Sequence, residues 1–309
     1  MRGHKRKFNP NVFVHVFQHA LQYRVVFYSM EDRLVFYTIF SVIAWRYGVV
    51  VLALALMYNH FHCLIQATSS KVMALFIGTV TSVFASAFNR DIGRKGALFE
   101  KAYGNSLKWD AKSIRTSIAY NYNNSVEKGL FTRAEDDRWN FLAYVNSDHP
   151  FSSPIVLNKA SKRLRGALKD VDAHVRDKAY LSYVTVRRLF TGLSNAEREQ
   201  LLDYTIARYF PIDKQQLVGF YKGYDEMILA INSNTGSEYD IKEEYTRDSD
   251  TIYSQMLDLV YKSSFSHKPH SIESASLDKK KEVAMVLRRK TGAKEYQICR
   301  ILHTDMCDL

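Results

Sequence analysis

Three scarcities narrow the field first. Cysteine occurs only at Cys63, Cys299 and Cys307 in 309 residues. That is too few and too scattered for a disulfide framework or a thiolate zinc site, and a reducing, cytoplasmic setting is expected. Proline numbers five, and two of the five fall among serines in residues 148–154, where a domain boundary is expected. No unbroken apolar run reaches the roughly 20 residues needed to cross a bilayer. The most apolar stretch, 34–57, is divided by Arg46 and Gly48. The basic start leads into alternating residues rather than the continuous apolar core of a signal peptide. Neither export nor a membrane partner is expected, and internal repeats and low-complexity tracts are missing as well.

What is present describes a folding, globular chain. Hydrophobic residues make up 47% against 24% charged, and 309 residues suffice for two domains, expected at 1–150 and 151–309. The formal net charge of +11 favours a polyanionic partner, nucleic acid before an anionic membrane surface. The 20 tyrosines and 18 phenylalanines suit stacking on unpaired bases, although most of them must be core.

Patterning along the chain gives an order of elements. A strand is expected at 12–19, then a helix from Glu31 and Asp32 to Tyr47 that Gly48 ends. The branched run 49–57 and the segment 60–66 read as two strands of a hairpin. Ser69 or Ser70 can cap a helix carrying Met73, Ile77, Val80 and Phe84 to about residue 89. A basic loop at 90–96, a strand at 98–107 and a helix opened by Asp110 follow. This is the order of an α+β, ferredoxin-like (RRM-like) antiparallel sheet with helices on one face. An all-α C-terminal domain should follow. Its helical segments are expected at 172–191, from the Ser194/Glu197 capping box to about 209, after Pro211, and at 250–262, 278–291 and 294–302; 232–238 reads as a loop and 263–276 as a linker.

The residues that bear chemistry lie in the first half. His60 and His62 are two apart on a strand, so both imidazoles leave one sheet face and can share a divalent cation. Tyr120 and Asn124 are one helical turn apart and face one site. A tyrosine that attacks a phosphodiester stores the bond energy in a phosphotyrosine link, but a free phenol with a pKa of about 10 needs a polarised phosphate. A cation on the two histidines, completed by the Asn124 amide oxygen, would supply that polarisation. Mixed nitrogen and oxygen ligation suits Mg²⁺ or Mn²⁺, and imidazole also accepts zinc.

These residues carry a family resemblance. The segment 57–65, MYNHFHCLI, resembles the signature strand of the HUH endonucleases, and the first half is similar to the REP-associated tyrosine transposases over residues 10 to 145. There the pattern M-P-N-H-V-H-L-L-V is matched at 57–65, Y-I-H-x-N-P-V-x-A-G-L by YNYNNSVEKGL at 120–130, and E-D-Y-x-W-S-S-Y-x-A-Y by AEDDRWNFLAY at 134–144. The resemblance implies His60, His62 and Asn124 as metal ligands, Tyr120 as nucleophile, and single-stranded DNA with a hairpin or palindromic repeat as substrate. The implied reaction is transesterification that leaves a 5′-phosphotyrosine and a free 3′ hydroxyl. Departures are Ser125 and Tyr58, where the family has prolines, and Tyr122 in place of a histidine. Tyr122 raises a second nucleophile, though its spacing turns it away from Asn124.

Weaker candidates complete the reading. Arg90, Arg94 and Lys95 are placed to touch DNA near the site. Lys159, Lys162, Arg163 and Arg165, and the basic positions 279–281, 288 and 289, either neutralise phosphates or are solvated helix faces. His15 and His19 either line the same sheet face or pack elsewhere, and Cys63 belongs to the core. The last two helices resemble the start of a helix-turn-helix module, and with six residues after His303 no recognition helix is expected there. A replication initiator or relaxase with the same site, and a DNA-binding protein that no longer cuts, are the alternatives. Monomer and homodimer both stay open.

Overall fold

The computed structural model describes residues 8–233 and 250–308. Four strands, β1 (Phe13–His19), β2 (Val50–Leu56), β3 (His60–Gln66) and β4 (Gly104–Lys108), form one sheet in the order β2-β3-β1-β4, every neighbouring pair antiparallel. Helices α1 (Met30–Tyr47) and α2 (Ser70–Ile92) are the two crossovers of this ferredoxin-like unit. A third helix, α3 (Ala111–Glu127), follows β4 and packs against β2, β3 and β4.

Local chemistry sets the helix ends. Ser29 and Asp32 form a reciprocal capping box at the start of α1, and Gly48 ends the helix at φ 61°. Ser69 rather than Ser70 caps α2, and Asp110 caps α3 by accepting from Ser113 N. The run from Leu34 to Ala44 is buried on every side of α1, which explains why it lacks an amphipathic stripe. One side faces the sheet and the other is covered by the helical half. By length and composition α2 could cross a membrane, alone in this among the described residues. Its Met73, Phe76, Ile77, Val80, Phe84 and Phe88 side is buried within the core.

The structure moves several boundaries. Arg90 and Asp91 belong to α2, not to a loop, because Asp91 is gripped there by Arg187, Lys268 and His270. The fourth strand starts only at Gly104; upstream of it, Phe99 makes a single bridge to Ala20. A side chain at Gly104 would run into the Phe17 ring, so glycine lets β4 close on β1 at that point.

The second half is helical: α4 (Lys162–Arg176), α5 (Tyr183–Phe190), α6 (Asn195–Arg208), α7 (Lys214–Val218), α8 (Tyr224–Ser233), α9 (Thr251–Tyr261), α10 (Leu277–Thr291) and α11 (Glu295–Leu302). The expected helix at 172–191 is two helices, broken where Lys178 adopts φ 49° and Leu181 N donates to Thr38 Oγ1. Asn232 and Ser233 close α8, and the rest of the loop expected at 232–238 lies outside the described residues, as does the basic start at 1–7. The expected linker at 263–276 contains a 3-10 turn, Pro269–Ser274, whose His270 and Glu273 are buried.

Hydrogen bonds and a continuous hydrophobic cluster tie the halves together. Tyr37 Oη donates to Ile206 O (2.8 Å) and Tyr183 Oη to Asp32 (2.8 Å), fixing α5 and α6 over α1. Asn123 Nδ2 donates to Ile231 O (2.5 Å), fixing α8 beside α3. At the other end Val25 N donates to Arg300 O (3.0 Å) and Tyr28 Oη to Ile301 O (2.7 Å), joining α11 to the segment between β1 and α1.

Candidate active site

Strand alternation builds one wall. The register pairs His19 with His60, Phe17 with His62 and His15 with Leu64, so four histidines share the sheet face that α3 covers. Phe61 and Cys63 take the opposite face, where Phe61 packs on Phe36 at 4.9 Å between ring centroids and Cys63 is wholly buried. The other wall is α3, whose spacing delivers Tyr120 and Asn124 to the same place.

The distances are short. The Tyr120 ring meets His62 edge-on at 5.5 Å and His15 at 5.4 Å. His15 lies edge to edge with His62, nearly coplanar at 5.4 Å between centroids, and His60 lies 4.8 Å from His62. On the far side His19 sits 4.9 Å from His60 and 4.8 Å from Tyr23. The structure thus brings His60, His62, Tyr120 and Asn124 together, with His15 and His19 beside them.

Donor chemistry assigns the imidazole tautomers. Asn59 Nδ2 donates to Tyr23 O (2.9 Å), which turns Asn59 Oδ1 toward His60 Nδ1 at 2.6 Å. His60 Nδ1 therefore carries the proton and Nε2 the lone pair. Asn124 Nδ2, a pure donor, lies 3.2 Å from His62 Nε2. His62 in turn directs its Nδ1–H at His15 Nε2, 3.2 Å away. Burial, then the neighbouring His62, His19 and Lys128, pushes His60 well below the ordinary histidine pKa. Burial, then His19 and Lys128, takes His62 down to about 3. Both rings are neutral at physiological pH, the form in which imidazole binds metal.

The residues fit a divalent cation on their own chemistry. Each ring is held from behind through Nδ1, as metal-binding histidines are. Asn124 Oδ1 is buried with no hydrogen-bond partner, and because Asn124 Nδ2 occupies the His62 Nε2 lone pair, a cation on His62 requires that amide to turn its oxygen inward. No three His, Cys, Asp or Glu side chains are grouped for a metal among the described residues. The Asn124 amide is the polar group next to His62.

Other expected residues go elsewhere. Tyr122 is fully buried and its hydroxyl donates to Leu52 O (2.9 Å), into β2. Ser125 is buried, and Tyr58 O accepts from Val26 N (2.9 Å) and Phe27 N (3.1 Å). Arg94 is tied to Glu273, to Asn89 Oδ1 (2.8 Å) and to Ala97 O (2.9 Å). Arg163 closes the end of α5 on Thr191 O (2.8 Å) and Arg188 O. Arg165 reaches Leu157 O (3.3 Å), while Arg90, Lys95 and Lys162 are exposed. Since α4 packs on α5 and α6, which cover the outer side of α1, residues 162–165 stand apart from the histidine cluster. Asn59 and Lys128 were not singled out in the sequence; the alternation of His15, Phe17 and His19 along β1 was the signal for the extra histidines.

Residues 11–121 match a family model described as Transposase IS200 like. A solved structure described as a REP associates tyrosine transposase bound to a REP hairpin aligns with 45% of this chain and 81% of its own, at 14% identity and a TM-score of 0.38. No curated protein matches the chain. Over residues 11–121 the chain is similar in sequence to the IS200-like transposases.

Proposed function

We propose that this protein is a transposase-like enzyme that nicks and rejoins single-stranded DNA through Tyr120, with residues 1–150 as the nuclease unit and 151–309 covering the site or holding DNA flanks. The observation that carries this reading is the Tyr120 ring set edge-on to the neutral His62, with His60 beside His62 and the buried Asn124 amide one turn further along α3.

The chemistry balances without an energy source. Tyr120 Oη attacks a backbone phosphorus, the P–Oη bond forms and the P–O3′ bond breaks, and the 3′ oxygen takes up a proton as the phenol gives up its own. The reverse attack by another 3′ hydroxyl rejoins the strand. His60, His62 and Asn124 would hold Mg²⁺ or Mn²⁺, which when bound polarises a non-bridging phosphate oxygen. Tyr120 is 6% exposed, so the site must open for a strand to reach the phenol. A hairpin or palindromic substrate and a cytoplasmic setting follow from the motif resemblance and the scarcity of cysteine.

Labelled hairpin-bearing single strands incubated with the protein and Mn²⁺ test the proposal. A covalent adduct is expected with the wild type and not with Tyr120→Phe; an adduct with both, or with neither, overturns it. His19 lies beside His60, but with His60 and His62 it forms no three-histidine metal group, so the replication-initiator or relaxase reading gains nothing from it. His19→Ala is expected to keep Mn²⁺ binding and Asn124→Ala to weaken it.

A further inference from the structure

The face of α3 that carries the nucleophile continues past Asn124. Tyr120, Asn124 and Lys128 recur every fourth residue, so their side chains follow one another along one side of the helix about 6 Å apart. Lys128 is the capping residue of α3 and is half-buried. Its charge bears on both His60 and His62.

A second cation enters from the helical half. The Arg300 guanidinium of α11 lies 5.3 Å from the Tyr23 ring centroid. Tyr23 packs on His19 and His19 on His60, so a row of rings leads from Arg300 to the histidine pair. Its backbone is anchored, since Arg300 O accepts from Val25 N. Asp250 opens α9 beside the end of α3. Asp250 N donates to Lys128 O (3.2 Å), and its largely desolvated side chain feels Lys128 and Arg300 together.

We propose that Lys128 and Arg300 form a cationic clamp for the phosphates flanking the bond that Tyr120 attacks, and that Asp250 is the internal carboxylate those phosphates replace. The inference rests on the reading of Tyr120 as nucleophile. It also gives α11 a role, in that the helical half contributes a side chain to the strand's path. The two groups divide the work: the ammonium is a point charge beside the scissile phosphate, and the planar guanidinium takes two oxygens of a neighbouring one.

The test uses the full chain carrying Tyr120→Phe, so that binding is read without cutting, and follows the anisotropy of a labelled hairpin-bearing strand over a range of salt without metal. Lys128→Ala and Arg300→Gln should each weaken binding about tenfold and lower the slope of log K against log salt by about 0.7, the value for one single-strand phosphate contact. Lys128→Arg should retain both, and Asp250→Asn should bind more tightly. The glutamine keeps a stem over Tyr23, and circular dichroism checks that each variant folds. Unchanged affinity and slope in folded Lys128→Ala and Arg300→Gln overturn the clamp. Adduct formation by the wild type, run in parallel, reports separately on the nicking reaction.

Discussion

Raising the pH should loosen the seam between the two halves. His270 sits with Nδ1 3.1 Å from Asp32 and Nε2 2.8 Å from Asp91, its side chain wholly buried. Burial alone would push its pKa down, but Asp32 and Asp91 overcome this and raise it to about 9. Burial opposes ionisation of both carboxylates too, yet their bonds to His270, to Tyr183 and Ser29 in one case and Arg187 and Lys268 in the other, hold them below the usual range. A histidine whose folded pKa exceeds its unfolded one contributes stability that is whole below the unfolded value and fades as pH climbs through the folded one. The rise from 6.5 to about 9 corresponds to about 3 kcal/mol, or roughly 6 °C in Tm at this chain length. The carboxylates act in the opposite sense, and their share fades as pH falls below about 3.8. Thermal melts from mildly acidic to alkaline pH should therefore show a plateau below 6.5 and a decline toward 9 and beyond. His270→Gln should melt lower throughout and lose the alkaline decline. A wild type with the same Tm on both sides of this window, or a variant that keeps the decline, would refute the reasoning.

Other outcomes follow from single contacts. Tyr122→Phe removes a buried hydroxyl's bond to Leu52 O and should cost about 1 kcal/mol of stability while nicking continues, checked by denaturant melts and the adduct assay. Asn59→Ala frees the His60 tautomer and should weaken Mn²⁺ binding roughly 10-fold or more in titration calorimetry. Gly104→Ala forces a methyl against the Phe17 ring beside His62 and should lower stability by about 1–3 kcal/mol in the same melts. Arg163→Ala, which strips two carbonyls at the end of α5, should lower Tm without changing the salt dependence of DNA binding.

The sheet and its histidines were legible because their signals are local. Alternation in β1 and β3, the Ser69 and Asp110 caps and the glycine after α1 each act over a few residues. The i, i+4 relation of Tyr120 and Asn124 is likewise fixed by helix geometry. What stayed hidden depends on partners far along the chain. The extra turn of α2 depends on Asp91 meeting Arg187, Lys268 and His270. The break before α5 depends on Thr38. Arg94 and Arg163 look like DNA contacts in sequence, and only the fold reveals the carboxylate and carbonyls that hold them. Arg300 lies 277 residues from Tyr23, a distance that no local pattern spans.

Peptide mapping of the protein after reaction with a hairpin-bearing single strand and Mn²⁺ tests the central claim most directly. A 5′-phosphonucleotide is expected on the peptide containing Tyr120 and on no other tyrosine, and it should disappear when His60 or His62 is replaced by alanine. Modification at Tyr122 or elsewhere, or an unmodified chain under conditions where the DNA binds, would contradict the assignment.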